Sequence, residues 1–341
     1  MRVLMTGGYG FIGAWIIRHL LLDGHDVAVF DLREDARRLK LILPDAEVAK
    51  VKFVPGDVTD LPALTQAIKD HQSTHVLHLA GLQVPTCREN PILGAKVNVL
   101  GTLAVFEAAK ALGSQIQRIV YASSAAVFGG PELYYGKKPS HSLPDDSPLT
   151  PGTHYGVYKV CNEGNARIYY QDNGISSVGL RPWTVYGAGR DLGMTSEPTK
   201  AIKAVLLGRP YAINFGGWTD FQYVADVAAV FVHSLERPYS GAKSYNLRGA
   251  VVSLQQFHAA LCEVLPEARE LVTVGTAQIG IAYDLSDAGL EADLGPMPKT
   301  SLVDGIRETV DIFRKLQAEG RLDTSDLDAP KPAPVTVAVE T

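Results

Sequence analysis

Over the first 180 residues, short apolar runs alternate with longer stretches in which apolar positions recur every three or four residues. The runs RVLMT (2–6), DVAVF (26–30), VKFV (51–54), HVLHLA (75–80), RIVYAS (118–123) and SVGLR (177–181) have strand length, and most are bounded by Gly, Asp or Pro. They read as buried strands. Between them, FIGAWIIRHLLLDG and VLGTLAVFEAAKALG carry helical periodicity, the second closed by Gly113. Strands and helices alternating in this way predict an α/β fold, a doubly wound parallel sheet of Rossmann type with right-handed crossovers. Beyond residue 183 the rhythm loosens, with TKAIKAVLLG, VADVAAVFVHSLE and SLVDGIRETVDIFRKLQAEG as helices among short strands. The expected organisation is a main Rossmann-type domain over 1–182, rejoined by about 218–238, and a smaller, discontinuous C-terminal lobe over 183–320. The Pro-, Asp- and Thr-rich segment 322–341 has no helical period and is expected to be a disordered tail.

With 341 residues, 46% of them hydrophobic, the chain can bury a large core. A formal net charge of -5 and the lack of any basic stripe argue against nucleic acid as a partner. Cys87, Cys161 and Cys262 lie far apart without ligand spacing, so neither a disulfide framework nor a metal site is expected. No basic and apolar leader precedes MRVLMTGG, and no apolar run reads as long enough for a bilayer. A cytoplasmic protein without membrane contact is the expectation.

TGGYGFIG at 6–13 places Gly7, Gly10 and Gly13 three apart where the first strand meets the first helix. There the backbone must turn tightly, approach a pyrophosphate and let the helix pack against the sheet. Asp31, closing the second strand, suits the adenosine ribose hydroxyls and would repel a 2′-phosphate, which favours NAD over NADP. Arg33, Arg37 and Arg38 read as the solvated face of a short helix. Further on, SSAAVFGG (123–130) ends an apolar run, and HYGVYK (154–159) puts Tyr155 and Lys159 one helical turn apart. A lysine ammonium about 4 Å from a phenol contributes on the order of 4 kcal/mol at an effective dielectric near 20, about three pK units toward the phenolate. Such a tyrosine would be a general base for a hydroxyl or a general acid for a carbonyl, with Ser124 at the strand end hydrogen-bonded to the same oxygen.

In order along the chain, TGGYGFIG, Asp31, GDVTD, HLAG, VNVLGT, YASSAAVFG, YGVYK and LRPWTVYGAG resemble the extended short-chain dehydrogenase/reductases, the NAD-dependent epimerase/dehydratase family. The N-terminal half most resembles the UDP-galactose 4-epimerases. The resemblance implies a catalytic triad of Ser124, Tyr155 and Lys159. It also implies cofactor contacts from Gly7, Gly10, Phe11, Ile12, Gly13, Asp31, Asp57, Val58, Leu79, Ala80, Gly81, Asn98, Tyr155, Lys159 and Pro182. Read from the residues alone, Asp57 and Asn98 are cap or turn residues. A homodimer joined through helices around 95–113 and 155–173 is implied as well.

Departures from the family pattern narrow the expected reaction. Dehydratases of this kind carry an Asp–Glu pair after the strand-end hydroxyl, where this chain has Ala125 and Ala126. Thr184 and Thr219 stand where members that bind UDP-sugars place Asn and Arg, and Glu197 and Pro198 fall near an expected Asn–Leu pair. Missing cations and an added carboxylate make a poor diphosphate site. The expected activity is therefore hydride transfer between NAD and the C–OH or C=O of a small sugar, sugar acid or related alcohol. An NAD-retaining sugar or UDP-sugar epimerase is the alternative, and a catalytically silent NAD-sensing module is a third reading. The loop 130–153, with Tyr134, Tyr135, Lys137, Lys138 and His141, reads either as a substrate lid or as a solvated surface loop. His154, Trp183 and Trp218 are pocket candidates by position. Cys87 should pass near the nicotinamide, although nothing in its spacing makes it a nucleophile.

Overall fold

A computed structural model describes residues 1–136 and 141–328. Six apolar runs form strands near their expected positions: β1 (Arg2–Thr6), β2 (Asp26–Asp31), β3 (Lys52–Pro55), β4 (His75–His78), β5 (Arg118–Ala122) and β6 (Ser177–Arg181). Six more follow: β7 (Thr184–Tyr186), β8 (Tyr211–Ile213), β9 (Trp218–Tyr223), β10 (Ala242–Asn246), β11 (Ala250–Ser253) and β12 (Val272–Val274). The main sheet has the order β10-β6-β5-β4-β1-β2-β3, and every neighbouring pair in it is parallel. Strand order reverses between β1 and β4, which opens a crevice at their carboxyl ends.

Alternation along each strand sends side chains to two cores. Val3, Met5, Val27 and Val29 join the core on one face, and Leu4, Phe30, Val76 and Ile119 the core on the other. Helices α1 (Phe11–Leu22), α2 (Leu61–Asp70), α3 (Gly101–Leu112), α4 (His154–Asn173), α5 (Glu197–Leu206), α6 (Val224–Glu236), α7 (Leu254–Val264) and α8 (Leu302–Ala318) surround the sheets. β7, β9 and β11 make a small second sheet, and β8 pairs with β12. The first core continues into this region through Phe221, Phe257 and Phe313, so the two parts share one interior.

Three details differ from the sequence reading. The segment that rejoins the main domain is α6, packed on α1, together with β10, whereas residues 218–223 belong to the small sheet as β9. The stretch from 322 is ordered at its start: Ser325–Asp328 is a helical turn, and Lys203 donates to Asp326 at 2.8 Å. Residues 329–341 of the expected tail lie outside the described residues. Finally, Pro91–Gln115 is helical throughout and is long and apolar enough to cross a membrane, contrary to the reading by inspection. Half of that window is buried inside the protein, with Val105, Phe106, Ala108 and Ala109 in the second core, so the helix is a layer of the fold.

Candidate active site

A cavity of about 700 Å³ opens at the crevice between the strand ends. Its wall contains Gly7, Gly10, Phe11, Ile12, Gly13, Leu79, Gly81, Ser124, Tyr155, Lys159 and Pro182. The remaining predicted contacts, Asp31, Asp57, Val58, Ala80 and Asn98, do not line it. The glycine turn has the cradle a pyrophosphate needs. Gly7 has φ +70°, and a Cβ there would stand 2.6 Å from the Ala80 nitrogen. At Gly13 a Cβ would fall 2.5 Å from the Gly8 oxygen, where α1 crosses the turn. Asp31 is half-buried at the end of β2, where its carboxylate accepts from the Leu32 N–H at 2.8 Å and burial raises its pKa. Turn, helix N-terminus and carboxylate together fit NAD.

Several predicted contacts support the cavity from behind. Asn98 sits in a π-turn (Lys96–Leu100) of the long helix and holds the loop after β4 by both ends. It accepts from the Leu82 N–H at 2.7 Å and donates to the Leu82 carbonyl at 2.9 Å. Asp57 accepts from the Thr59 N–H and hydroxyl, both at 2.9 Å, which keeps its carboxyl below the usual range and makes it a turn residue. Val58 packs over Gly101. His78, buried between the Thr6 and Thr102 hydroxyls, is pushed down to about 3 by burial and is neutral. Cys87 is buried, its thiol directed at the Leu82 carbonyl, and burial raises its pKa; a poised nucleophile needs the opposite.

The two serines divide their roles. Ser123 is buried and donates to Glu163, whose carboxylate forms a buried bidentate pair with Arg181 at 2.7 and 2.8 Å. Ser124 faces the cavity that Tyr155 also lines and accepts from the Ala126 N–H at 3.1 Å. Tyr155 is delivered by the first turn of α4, capped by Thr153, whose hydroxyl accepts from the Gly156 N–H at 3.1 Å. Gly156 lets this turn touch the strand-end loop, since a Cβ there would lie 2.1 Å from the Ala126 oxygen.

The expected effect of Lys159 on Tyr155 is corrected by the geometry. Lys159 is buried and donates to the Ala122 carbonyl at 2.6 Å, with its ammonium 5.4 Å from the Tyr155 ring centroid. Burial brings its own pKa down to about 8. For Tyr155, burial is the largest influence and raises the pKa, while Ser124 and the Arg190 charge pull it down. Spacing in the sequence placed the lysine but not its hydrogen-bond partner. Arg190 escaped the sequence reading altogether; its only signal was a cation directly after the YGAG turn.

The second-lobe positions also resolve differently. Thr184 and Thr219, on adjoining strands, are fully buried and bonded to each other at 2.8 Å, away from the cavity wall. Glu197 does not confront the site either: it is buried and accepts from the Asn214 side chain at 3.0 Å and from its backbone N–H. Ala125 and Ala126 do line the cavity, so no acid–base pair follows Ser124. Trp183 lines it too, its indole N–H donating to the Ala282 carbonyl at 2.7 Å. Trp218 is 43% exposed and stacks on Tyr283, while His154 is exposed beside Tyr158. The described part of the 130–153 loop is tied down. Tyr134 donates to the Pro148 carbonyl, Tyr135 is buried against Asp284 with His141 at its edge, and Arg181 holds the Asp145 carbonyl. Lys137 and Lys138 lie outside the described residues. Among the arginines read as a solvated face, Arg38 is instead half-buried and pairs with Asp191 at 2.7 Å, because it ties the glycine turn to the second lobe.

Comparison with known proteins agrees with this geometry. Residues 3–247 match the model of the NAD dependent epimerase/dehydratase family. The UDP-glucose 4-epimerase of Mycolicibacterium smegmatis is 30% identical over 92% of this chain and 99% of its own. The UDP-glucose 4-epimerase of Thermus thermophilus, solved with NAD, is 30% identical and superposes with a TM-score of 0.76 over 92% of this chain and 99% of its own. A partial-consensus L-threonine 3-dehydrogenase, 22% identical over 93% of this chain and 100% of its own, shares the fold with a TM-score of 0.79. This chain belongs to the NAD-dependent epimerase/dehydratase family, and its cofactor is NAD.

Proposed function

We propose that the protein is an NAD-dependent dehydrogenase acting on a hydroxyl of a small sugar, sugar acid or related alcohol. The observation that carries this reading is the sealed Thr184–Thr219 pair: the second lobe turns two buried hydroxyls toward each other where a UDP-sugar enzyme would offer an amide and a guanidinium. NAD when bound supplies the hydride acceptor. Ser124 holds the substrate oxygen, Tyr155 in its phenolate form, which Ser124 and the Arg190 charge favour, takes its proton, and Lys159, on the Ala122 carbonyl, positions the nicotinamide ribose. The substrate carbon loses a hydride and its oxygen a proton, so a carbonyl forms. Run backward, the tyrosine donates that proton to a carbonyl. Asp31 selects NAD over NADP at the ribose.

An epimerase that returns the hydride to its product is the second reading, favoured by the 30% identity to the mycobacterial UDP-glucose 4-epimerase over nearly the whole of both chains. Incubating the enzyme and NAD with polyols, sugars, sugar acids and UDP-hexoses separates the two. Stoichiometric NADH with one of the small substrates is expected. Conversion of a UDP-hexose to its epimer without NADH would replace the dehydrogenase reading.

We assign the protein to the cytosol, consistent with its three free cysteines. A homodimer fits the outer faces of the long helix and α4, where Ile92 is 84%, Leu100 55% and Ile168 44% exposed.

A further inference from the structure

Among the described residues, three cations reach the cavity wall: Arg88, Lys159 and Arg190. Arg88 is exposed at the rim, and Lys159 is committed to the Ala122 carbonyl. Arg190 is different. Its guanidinium lies 5.6 Å over the Phe11 ring, and one terminal nitrogen donates to the Thr195 hydroxyl at 2.7 Å. Among the described residues its buried Nε has no hydrogen-bond partner and its charge no ion pair. The neighbouring carboxylate, Asp191, is committed with both oxygens to Arg38 at 2.7 and 2.8 Å. Burial accordingly brings Arg190 down to about 10. Space is kept beside it: Gly193 has φ +87°, and a Cβ there would lie 2.7 Å from the Gln83 side-chain oxygen and 3.6 Å from Nη2 of Arg190. A half-buried guanidinium that lines the cavity without an ion pair, flanked by the Gln83 amide and the Thr195 hydroxyl, calls for an anion.

We propose that Arg190 anchors a carboxylate of the substrate, which makes the preferred substrate class a hydroxy acid, with the acid on Arg190 and the reacting hydroxyl on Ser124 and Tyr155. The inference rests on the dehydrogenase reading above. Anionic oxygens could also come from the cofactor's pyrophosphate. That group, however, has its own donors in the N–H groups at the start of α1, and Arg190, although it leans over Phe11 there, lines the same cavity as Ser124 and Tyr155.

The test is calorimetric titration of the NAD-loaded enzyme with glycolate, glycerate, gluconate and glucuronate, and with the neutral glycerol, glucitol and glucose. Wild type, Arg190→Met, Arg190→Lys and Thr195→Val are compared. At least one acid should bind wild type more tightly than its neutral counterpart. That affinity should fall about tenfold to a hundredfold in Arg190→Met and less in Arg190→Lys, with NAD affinity unchanged. Thr195→Val, which leaves the charge in place, should weaken acid binding severalfold and serves if the methionine variant does not fold. Loss of NAD affinity with acid binding intact would assign Arg190 to the pyrophosphate and overturn the proposal. So would equal binding of acids and neutral compounds in wild type, or failure of every acid to bind. Acid binding that depends on Arg190 without NADH formation would leave the anchor standing and remove the dehydrogenase reading. NADH formation from neutral polyols, indifferent to Arg190, would do the reverse.

Discussion

Burial favours the protonated form of the Tyr155 phenol, while the neighbouring Ser124 hydroxyl and the Arg190 charge favour the phenolate. A single oxygen therefore carries the proposed proton transfer. Tyr155→Phe keeps the ring and removes that oxygen, so turnover should fall at least about a hundredfold, with NAD affinity unchanged in a calorimetric titration. Comparable turnover in the variant would end the proposed mechanism. A second residue governs pH dependence without touching the chemistry. Asp220 is fully buried in β9, accepts from Gln222 and from the Gly249 N–H, both at 2.8 Å, and is pushed up to about 7 by burial. Because the folded pKa lies above the unfolded value, this carboxyl imposes no penalty below about pH 4, and stability is lost as pH rises through 7. The penalty is at most about 4 kcal/mol at roughly 1.4 kcal/mol per unit. Asp220→Asn should flatten the fall in melting temperature between pH 5 and 8, whatever it does to the absolute value. An unchanged slope would place the titration elsewhere. The Tyr155–Lys159 spacing was legible at this scale because helical periodicity alone puts both on one face. That the lysine would choose the Ala122 carbonyl was not, since the two meet only when α4 packs against β5.

At the scale of elements, the start of α4 and the loop after β5 act as one unit, held by the Thr153 cap and by the close approach at Gly156. A methyl group at Gly156 would collide with the Ala126 carbonyl, so Gly156→Ala should shift α4 and separate Tyr155 from Ser124. The expected outcome is at least about a tenfold loss in kcat with NAD affinity little changed. Retention of full kcat would show that the strand-end loop yields. Thr153→Ala removes only the cap and should lower stability by about 1 kcal/mol in denaturant unfolding. The glycine turn was readable from its strand-turn-helix setting, whereas the role of Gly156 depends on a contact across 30 residues of chain.

At the scale of the whole molecule, the long helix and α4 hold their inner faces in the core and leave Ile92, Leu100, Val157 and Ile168 exposed. A dimer would cover them. Light scattering at micromolar concentration should give twice the chain mass, and Leu100→Lys with Ile168→Lys should shift it to monomer with the fold retained by circular dichroism. A wild-type monomer would refute the assembly.

Taken alone, the sequence determined the alternation of strands and helices, the glycine turn with Asp31, and the positions of Ser124, Tyr155 and Lys159. These are local: period, strand ends and helix spacing act within a few residues of chain. Tertiary structure alone decided which groups face the cavity. Thr184 and Thr219 turned out to satisfy each other, Glu197 was taken by Asn214, and Asn98 was found to brace the Leu82 loop. Arg190 was left without a carboxylate among the described residues because Arg38, from far away in the chain, claims Asp191. Such competition for partners is settled only by packing, since each buried polar group takes the nearest partner the fold supplies.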